Sequence, residues 1–250
     1  MLESGCARFV LRRPNARNAL NLAAWRAITG FCSEFGTDSS LKALVVEGDG
    51  PDFCAGADIT EFENVYRDRE STRDYFDAME RALTDLAEFR RPTIAKLHGA
   101  TMGGGLALAL SCDLRFAAAN ARFSIPPAKL GLLYGPFETS RLIGLIGPAR
   151  AKDMIFTARV VGAEEALRWG LVDRVVEPAA LAPAVDATLA AMALLSQSTI
   201  RASKAIIEGL APGDGVWRAV TMAKAIEAAG SADAREGREA FLDKRQPRFG

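Results

Sequence analysis

Phe53-Cys54-Ala55-Gly56-Ala57-Asp58-Ile59 and Met102-Gly103-Gly104-Gly105-Leu106-Ala107-Leu108-Ala109 are the two stretches from which the rest of the chain can be read. Each follows an apolar, β-branched segment, Ala43-Leu44-Val45-Val46 in the first case and Thr93-Ile94-Ala95-Lys96-Leu97 in the second. A glycine-containing run in that position marks where a strand gives way to a loop or a helix. Glycine also removes the side chain that would keep a ligand away from the backbone. If the fold brings them together, the N–H groups of Ala57 and Gly104 form two fixed donors for a developing negative oxygen. The helix running through Leu106 adds its positive end to the second donor. Neither G-x-G-x-x-G nor G-x-x-x-x-G-K-[ST] occurs, so a nucleotide-phosphate cradle is the weaker account of glycines 103 to 105.

Strands and helices alternate on either side of these stretches. The pattern predicts strands over 7–12, 43–47, 93–97, 114–118 and 172–176, and helices over 22–35, 73–89, 106–111 and 163–169. Between 61 and 71 the chain is charged, and Arg67-Asp68-Arg69-Glu70 reads as a mobile, solvated segment, with an active-site flap as the second reading. Phe123-Ser124-Ile125-Pro126-Pro127 closes the fourth strand, and Leu130-Gly131-Leu132-Leu133-Tyr134 makes a bend. Pro136 suits the first position of a helix reaching 145, Gly147-Pro148 breaks the chain, and a further helix runs to 155. From 179 onward the reading is helical, interrupted at Ala211-Pro212-Gly213-Asp214-Gly215. This is an α/β chain with a helical C-terminal third and no linker-like segment dividing it.

Composition narrows the partners. The 250 residues are 49% hydrophobic and 25% charged, enough for one large core, and 31 basic residues balance 31 acidic ones. That balance removes a general electrostatic case for nucleic acid or an anionic membrane. Cys6, Cys32, Cys54 and Cys112 show no close pairing, and with His98 as the single histidine a zinc cluster is not expected. No run reaches about 18 apolar residues and the first residues lack a basic-then-apolar pattern, so a soluble cytoplasmic protein with reduced thiols is expected.

Three further segments stand in a fixed order with the two glycine loops: Arg13-Pro14-Asn15-Ala16-Arg17-Asn18-Ala19-Leu20, Ala166-Leu167-Arg168-Trp169-Gly170-Leu171-Val172-Asp173-Arg174-Val175-Val176, and Glu236-Gly237-Arg238-Glu239-Ala240-Phe241-Leu242-Asp243-Lys244-Arg245. Together the five resemble the crotonase (enoyl-CoA hydratase/isomerase) superfamily along the whole chain. The resemblance implies a spiral of ββα turns over 1–190, and a helical region over 191–250 that packs subunits into trimers or dimers of trimers. It implies an acyl-CoA thioester substrate whose enolate is held by the N–H groups of Ala57 and Gly104, with coenzyme A present only as part of the substrate and no separate cofactor. By the same resemblance Ala19, Ala55, Asp58, Ile59, Met102, Gly103, Pro127 and Leu130 contact substrate or CoA, Asp58 in a structural role, and Lys244 reaches the CoA phosphates. Nucleic-acid or membrane partners are not expected.

The likeness is incomplete where protons are handled. Hydratases of the superfamily carry two glutamates at the positions held here by Ala107 and Pro127, neither of which ionises. Tyr134 lies in the bend before the Pro136 helix, in a run that looks like the corresponding one in methylmalonyl-CoA decarboxylases. A phenol there is placed to bind or protonate substrate, or is an ordinary aromatic with a wet hydroxyl. Glu138 is the nearest carboxylate downstream, a substitute base or simply an acidic residue favoured in a first helical turn. Cys54 reads as packing under its loop ahead of a reactive thiol, and His98 as a hydrogen-bonded structural residue. Three functions follow: enolate chemistry on an acyl-CoA without the two-glutamate hydration machinery, decarboxylation or other C–C cleavage of a carboxyacyl-CoA, and a catalytically silent CoA-binding subunit.

Overall fold

Short runs rich in Val, Leu, Ile, Ala and Phe supply the strands, and amphipathic helices connect them. The computed structural model describes residues 5–209 and, beyond them, 232–233, 236, 239–240, 243–245 and 247–248. In chain order it places β1 (Cys6–Leu11), α1 (Leu22–Phe35), β2 (Ala43–Gly48), α2 (Phe62–Val65), α3 (Arg69–Ala87), β3 (Thr93–Leu97), β4 (Ala100–Met102) and α4 (Gly104–Leu110). There follow β5 (Leu114–Ala118), β6 (Arg122–Ser124), α5 (Pro136–Thr157), β7 (Val161–Gly162), α6 (Ala163–Trp169), β8 (Arg174–Val176), α7 (Pro178–Ala193) and α8 (Gln197–Gly209).

The main sheet is parallel throughout, in the order β1-β2-β3-β5-β8, and a smaller sheet orders β4-β6-β7 with its last pair antiparallel. A parallel sheet covered on both faces needs strands that are apolar at successive positions. In β2 the alternation of side chains sends Leu44 and Val46 into a core shared with α1, α3 and α4. Ala43 and Val45 point into a second core closed by Leu181, Val185 and Leu189 of α7. Burying each such Leu or Val stabilises the fold by about 1.5–3 kcal/mol. α7 is therefore the lid of the sheet's second face.

The expected strands and most of the helices are found close to their anticipated positions. Arg67, Asp68, Arg69 and Glu70 are exposed, as expected of a solvated segment, but the helix anticipated from 73 starts earlier: Asp68 accepts the N–H of Ser71 at 2.7 Å and caps α3, which begins at Arg69. The run after Pro136 breaks where expected: α5 is two helical segments joined at Gly147, whose φ of 75° and ψ of 163° leave the helical region just before Pro148. β4, β6 and β7 were not anticipated, being only three, three and two residues long. The C-terminal helices also turn by 108° between Ala193 and Gln197, while the expected interruption at Ala211-Pro212-Gly213-Asp214-Gly215 lies outside the described residues.

Gly105 tests how tightly α4 is seated. Alanine is the better helix former by about 1 kcal/mol, yet a methyl at this position would lie 2.6 Å from the Cys54 carbonyl oxygen and 2.8 Å from its sulfur. Overpacking of that kind costs about 1–3 kcal/mol. Gly105→Ala is accordingly expected to lower the urea midpoint. An unchanged or raised midpoint would show that α4 can shift away from the first glycine loop.

Candidate active site

Main-chain pairing aims the first donor. Leu20 donates its N–H to the Gly56 carbonyl at 2.7 Å and accepts the N–H of Asp58 at 2.9 Å, an isolated parallel bridge centred on Ala57. In such a bridge the partner strand uses the peptide groups on either side of the central residue, so the N–H of Ala57 itself points the other way. A second bridge, Cys54 against Thr101, lays this loop alongside β4. Gly103 then turns β4 into α4 with φ 48° and ψ −113°, a conformation that glycine adopts readily. Gly104 is the first residue of α4, and its N–H has no intrahelical acceptor. The loops are in backbone contact: a methyl on Gly104 would lie 3.6 Å from the Ala57 nitrogen, and one on Gly56 only 2.9 Å from the Met102 carbonyl oxygen.

Arg13 braces this arrangement from behind, donating to the Ala19 carbonyl at 2.6 Å and to the Asp58 carboxylate at 2.8 Å. Thr60's hydroxyl, and then Arg13, hold the Asp58 carboxyl below the usual carboxylate range against the opposing effect of burial. Arg17 and Asn18 enter the loop with φ of 50° and 57°. Asn18 fixes that turn by donating to the Asp49 and Asp52 carbonyls, both at 2.8 Å.

Ala57 and Gly104 both line a cavity of about 160 Å³. Ala55, Ala57 and Ile59 line it from the first loop, Gly103 and Gly104 from the second, and Pro127, Leu130, Tyr134 and Glu138 from the segment after β6. The chain thus brings nine of the residues chosen from sequence to one space. Ala19, Asp58 and Met102 are not among the lining residues, and Lys244 is an exposed residue in a left-handed turn, φ 53°, of the C-terminal segment. The sequence reading missed the largely aromatic wall formed by Phe62 of α2, by Tyr66 at the end of that helix, and by Tyr75, Phe76 and Met79 of α3. The i, i+4 pairs Phe62/Tyr66 and Tyr75/Met79 were the available signal, masked by the charges between them.

The sequence matches the Enoyl-CoA hydratase/isomerase family over residues 2–250. The chain belongs to that family. It superposes with a TM-score of 0.96 on an enoyl-CoA hydratase/isomerase family protein from Hyphomonas neptunium, 36% identical, covering 100% of this chain and 96% of the other. An enoyl-CoA hydratase/carnithine racemase from Magnetospirillum magneticum gives a TM-score of 0.93 at 32% identity, covering 99% and 93% of the two chains. By sequence, the crotonyl-CoA hydratase of Syntrophomonas wolfei subsp. wolfei is 34% identical over 99% of this chain and 95% of its own length. An acyl-CoA enzyme of the enoyl-CoA hydratase/isomerase family is the coarse identity these likenesses support.

Besides the phenols of Tyr66 and Tyr75 in the aromatic wall, Tyr134 and Glu138 stand at the cavity. Tyr134 is half-buried with its hydroxyl 3.4 Å from the Gly103 carbonyl oxygen. Burial, and then the charge of Glu138, push its phenol well above the ordinary tyrosine value. The hydroxyl is therefore a neutral donor at physiological pH. Glu138 is buried at the third position of α5 and accepts the N–H of Gly135 at 2.7 Å. One carboxylate oxygen thus caps the helix while the residue also lines the cavity.

The remaining candidates are structural. Cys54 is wholly buried, its thiol pushed up to about 12 by burial, and it donates to the Asn18 carbonyl at 3.1 Å. A thiol so far from its thiolate form is packing material. His98 ties its Nε2 to the Gly50 carbonyl at 2.9 Å. Among the described residues no group of three His, Cys, Asp or Glu side chains is placed to hold a metal, and no single helix is long and apolar enough to cross a membrane.

Proposed function

We propose that the protein binds an acyl-CoA thioester with its carbonyl oxygen between the N–H groups of Ala57 and Gly104, and that its reaction passes through an enolate held in this oxyanion hole. The observation that carries the reading is the convergence of two amides from different loops at an apolar cavity. Donors fixed in advance act where charge develops, and each is typically worth about 3 kcal/mol in the transition state. A cavity of about 160 Å³ suits a small acyl body, since one of about 150 Å³ accepts benzene. CoA enters as part of the substrate, with Lys244 as a candidate partner for its phosphates.

Two-carboxylate hydration is not the chemistry we favour. Ala107 is buried in the core on α4, and Pro127 lines the cavity without an acid. Proton handling then falls to Tyr134 as a neutral donor and to the Glu138 oxygen that does not cap the helix. A single carboxylate suffices to move a proton between the carbons flanking a double bond, so a β,γ- to α,β-enoyl shift demands less of this site than hydration does. Cleavage of a carboxyacyl-CoA needs no base, because loss of carbon dioxide itself generates the enolate. It stands second, since among the described cavity residues Glu138 is the only charged side chain and no cation is there to hold a carboxylate.

Turnover on crotonyl-, 3-hexenoyl- and methylmalonyl-CoA separates these functions. The expected result is isomerisation of 3-hexenoyl-CoA, with crotonyl-CoA hydration about 10²–10⁴-fold below that of an enzyme with both carboxylates. Efficient hydration would overturn the proton assignment, and no turnover on any of the three would favour the silent subunit.

We further propose assembly into trimers or dimers of trimers. Leu194, Leu195 and Ile207 near the C-terminal bend are exposed at 59%, 52% and 70% in the single chain, an apolar surface of the kind that subunit contacts cover. Light scattering at micromolar concentration should give a trimer mass or a multiple of it, and a monomer would contradict the proposal.

A further inference from the structure

The wall of the cavity contributed by α2 and α3 is built of rings. Phe62 and Tyr66 meet edge-on with centroids 5.0 Å apart, Tyr66 and Phe76 are 6.5 Å apart, and Tyr75 and Phe76 meet edge-on at 6.1 Å. All four line the same cavity, joined by the thioether of Met79, a group that packs favourably against aromatic edges. Tyr75 is fixed by its hydroxyl, which accepts the Trp25 indole N–H at 3.1 Å and lies 3.4 Å from the Leu20 carbonyl oxygen. The network thereby connects the wall to Leu20, the residue whose main chain aims Ala57. Among the described residues of this wall no side chain carries a formal charge.

From this we infer that the acyl group taken by the site ends in a planar ring, an aryl or cycloalkenyl group close to the thioester. The inference rests on the acyl-CoA reading and names the substrate class for it. A straight alkyl tail against this wall gains only by leaving water, which it does equally well against any apolar surface. A planar ring gains in addition the edge-to-face contacts that these four side chains already make with one another. The size agrees: about 160 Å³ is close to the volume in which benzene is held in an apolar protein cavity. Phe62 of α2, Tyr66 at that helix's C-terminal end and Phe76 of α3 are thus specificity-determining residues, placed away from the residues that handle protons.

Calorimetric titration of the full-length protein with butyryl-, octanoyl- and 3-phenylpropanoyl-CoA tests this, since none of the three has an acyl double bond on which the enzyme could act. The phenylpropanoyl thioester is expected to bind about tenfold more tightly than the octanoyl one, from two or more edge-to-face contacts. Phe76→Leu and Tyr66→Leu are each expected to cut that ratio about threefold. Phe76 is 38% exposed, so its variant leaves the core intact and thermal melting can verify that it folds. Equal or tighter binding of octanoyl-CoA, or a ratio unchanged in both variants, would overturn the ring preference while leaving the acyl-CoA reading standing. If none of the thioesters binds, the acyl-CoA reading itself fails.

Discussion

Replacing Gly104 by proline is expected to lower kcat/KM about 10²–10³-fold, the loss typical of one deleted oxyanion donor. Proline is compatible with the first position of α4, so the helix itself tolerates it. The substitution also adds bulk, and a Cβ at this site lies 3.2 Å from Cζ2 of Trp25. Gly104→Ala supplies the control, because it brings the same Cβ and keeps the N–H. The alanine variant measures the cost of pushing the indole aside by a few tenths of an ångström, and the ratio of the two variants measures the donor. A folded proline variant as active as the alanine one would sink the assignment of the Gly104 amide.

Tyr134→Phe removes one hydroxyl and keeps the ring, and it is expected to slow the reaction by about 10²–10⁴-fold if the phenol delivers a proton. Glu138→Gln is the informative partner. Glutamine retains an oxygen to accept the Gly135 N–H, so the cap of α5 survives and only the charge is lost. The pH profile adds a sign. Burial raises the Tyr134 phenol above its ordinary value, so the proton-carrying form persists as pH rises through about 10, where a free tyrosine ionises. Activity should therefore show no alkaline loss attributable to this phenol below about pH 10. If Tyr134→Phe retains full activity while Glu138→Gln abolishes it, the tyrosine is a bystander and the carboxylate is both acid and base.

Much of this architecture was legible because its signals are local. The β2 run Ala43-Leu44-Val45-Val46 is apolar at every position, which only a strand buried on both faces requires, and it pairs on both sides in the main sheet. Glycines that announce a close approach were equally visible, and Gly56 and Gly104 lie where one loop touches the other. What escaped notice depends on pairing at a distance. β4 and β7 are too short to show a period and exist as strands only because β6 lies between them. The segment after Ile59 looked solvated because Glu63, Arg67 and Arg69 dominate its composition. Its apolar residues, Phe62 and Tyr66, share one face of a single helical turn that closes the cavity. Sequence could nominate Tyr134 and Glu138, but not the helix-capping bond that ties one of the carboxylate's two oxygens to the Gly135 N–H.

The bridge between Leu20 and Ala57 has a consequence for how this protein can be altered. A donor that belongs to the peptide group is indifferent to the side chain attached beside it. Of the nineteen possible replacements at Ala57, proline alone removes the N–H. Position 57 lines the cavity, and under the proposed function it lies beside the thioester carbonyl, so it is a place to introduce an acid, a base or a bulky selector while keeping the proposed donor. Saturation of this single codon, screened against a range of thioesters, would sample new chemistries around an unchanged point of polarisation.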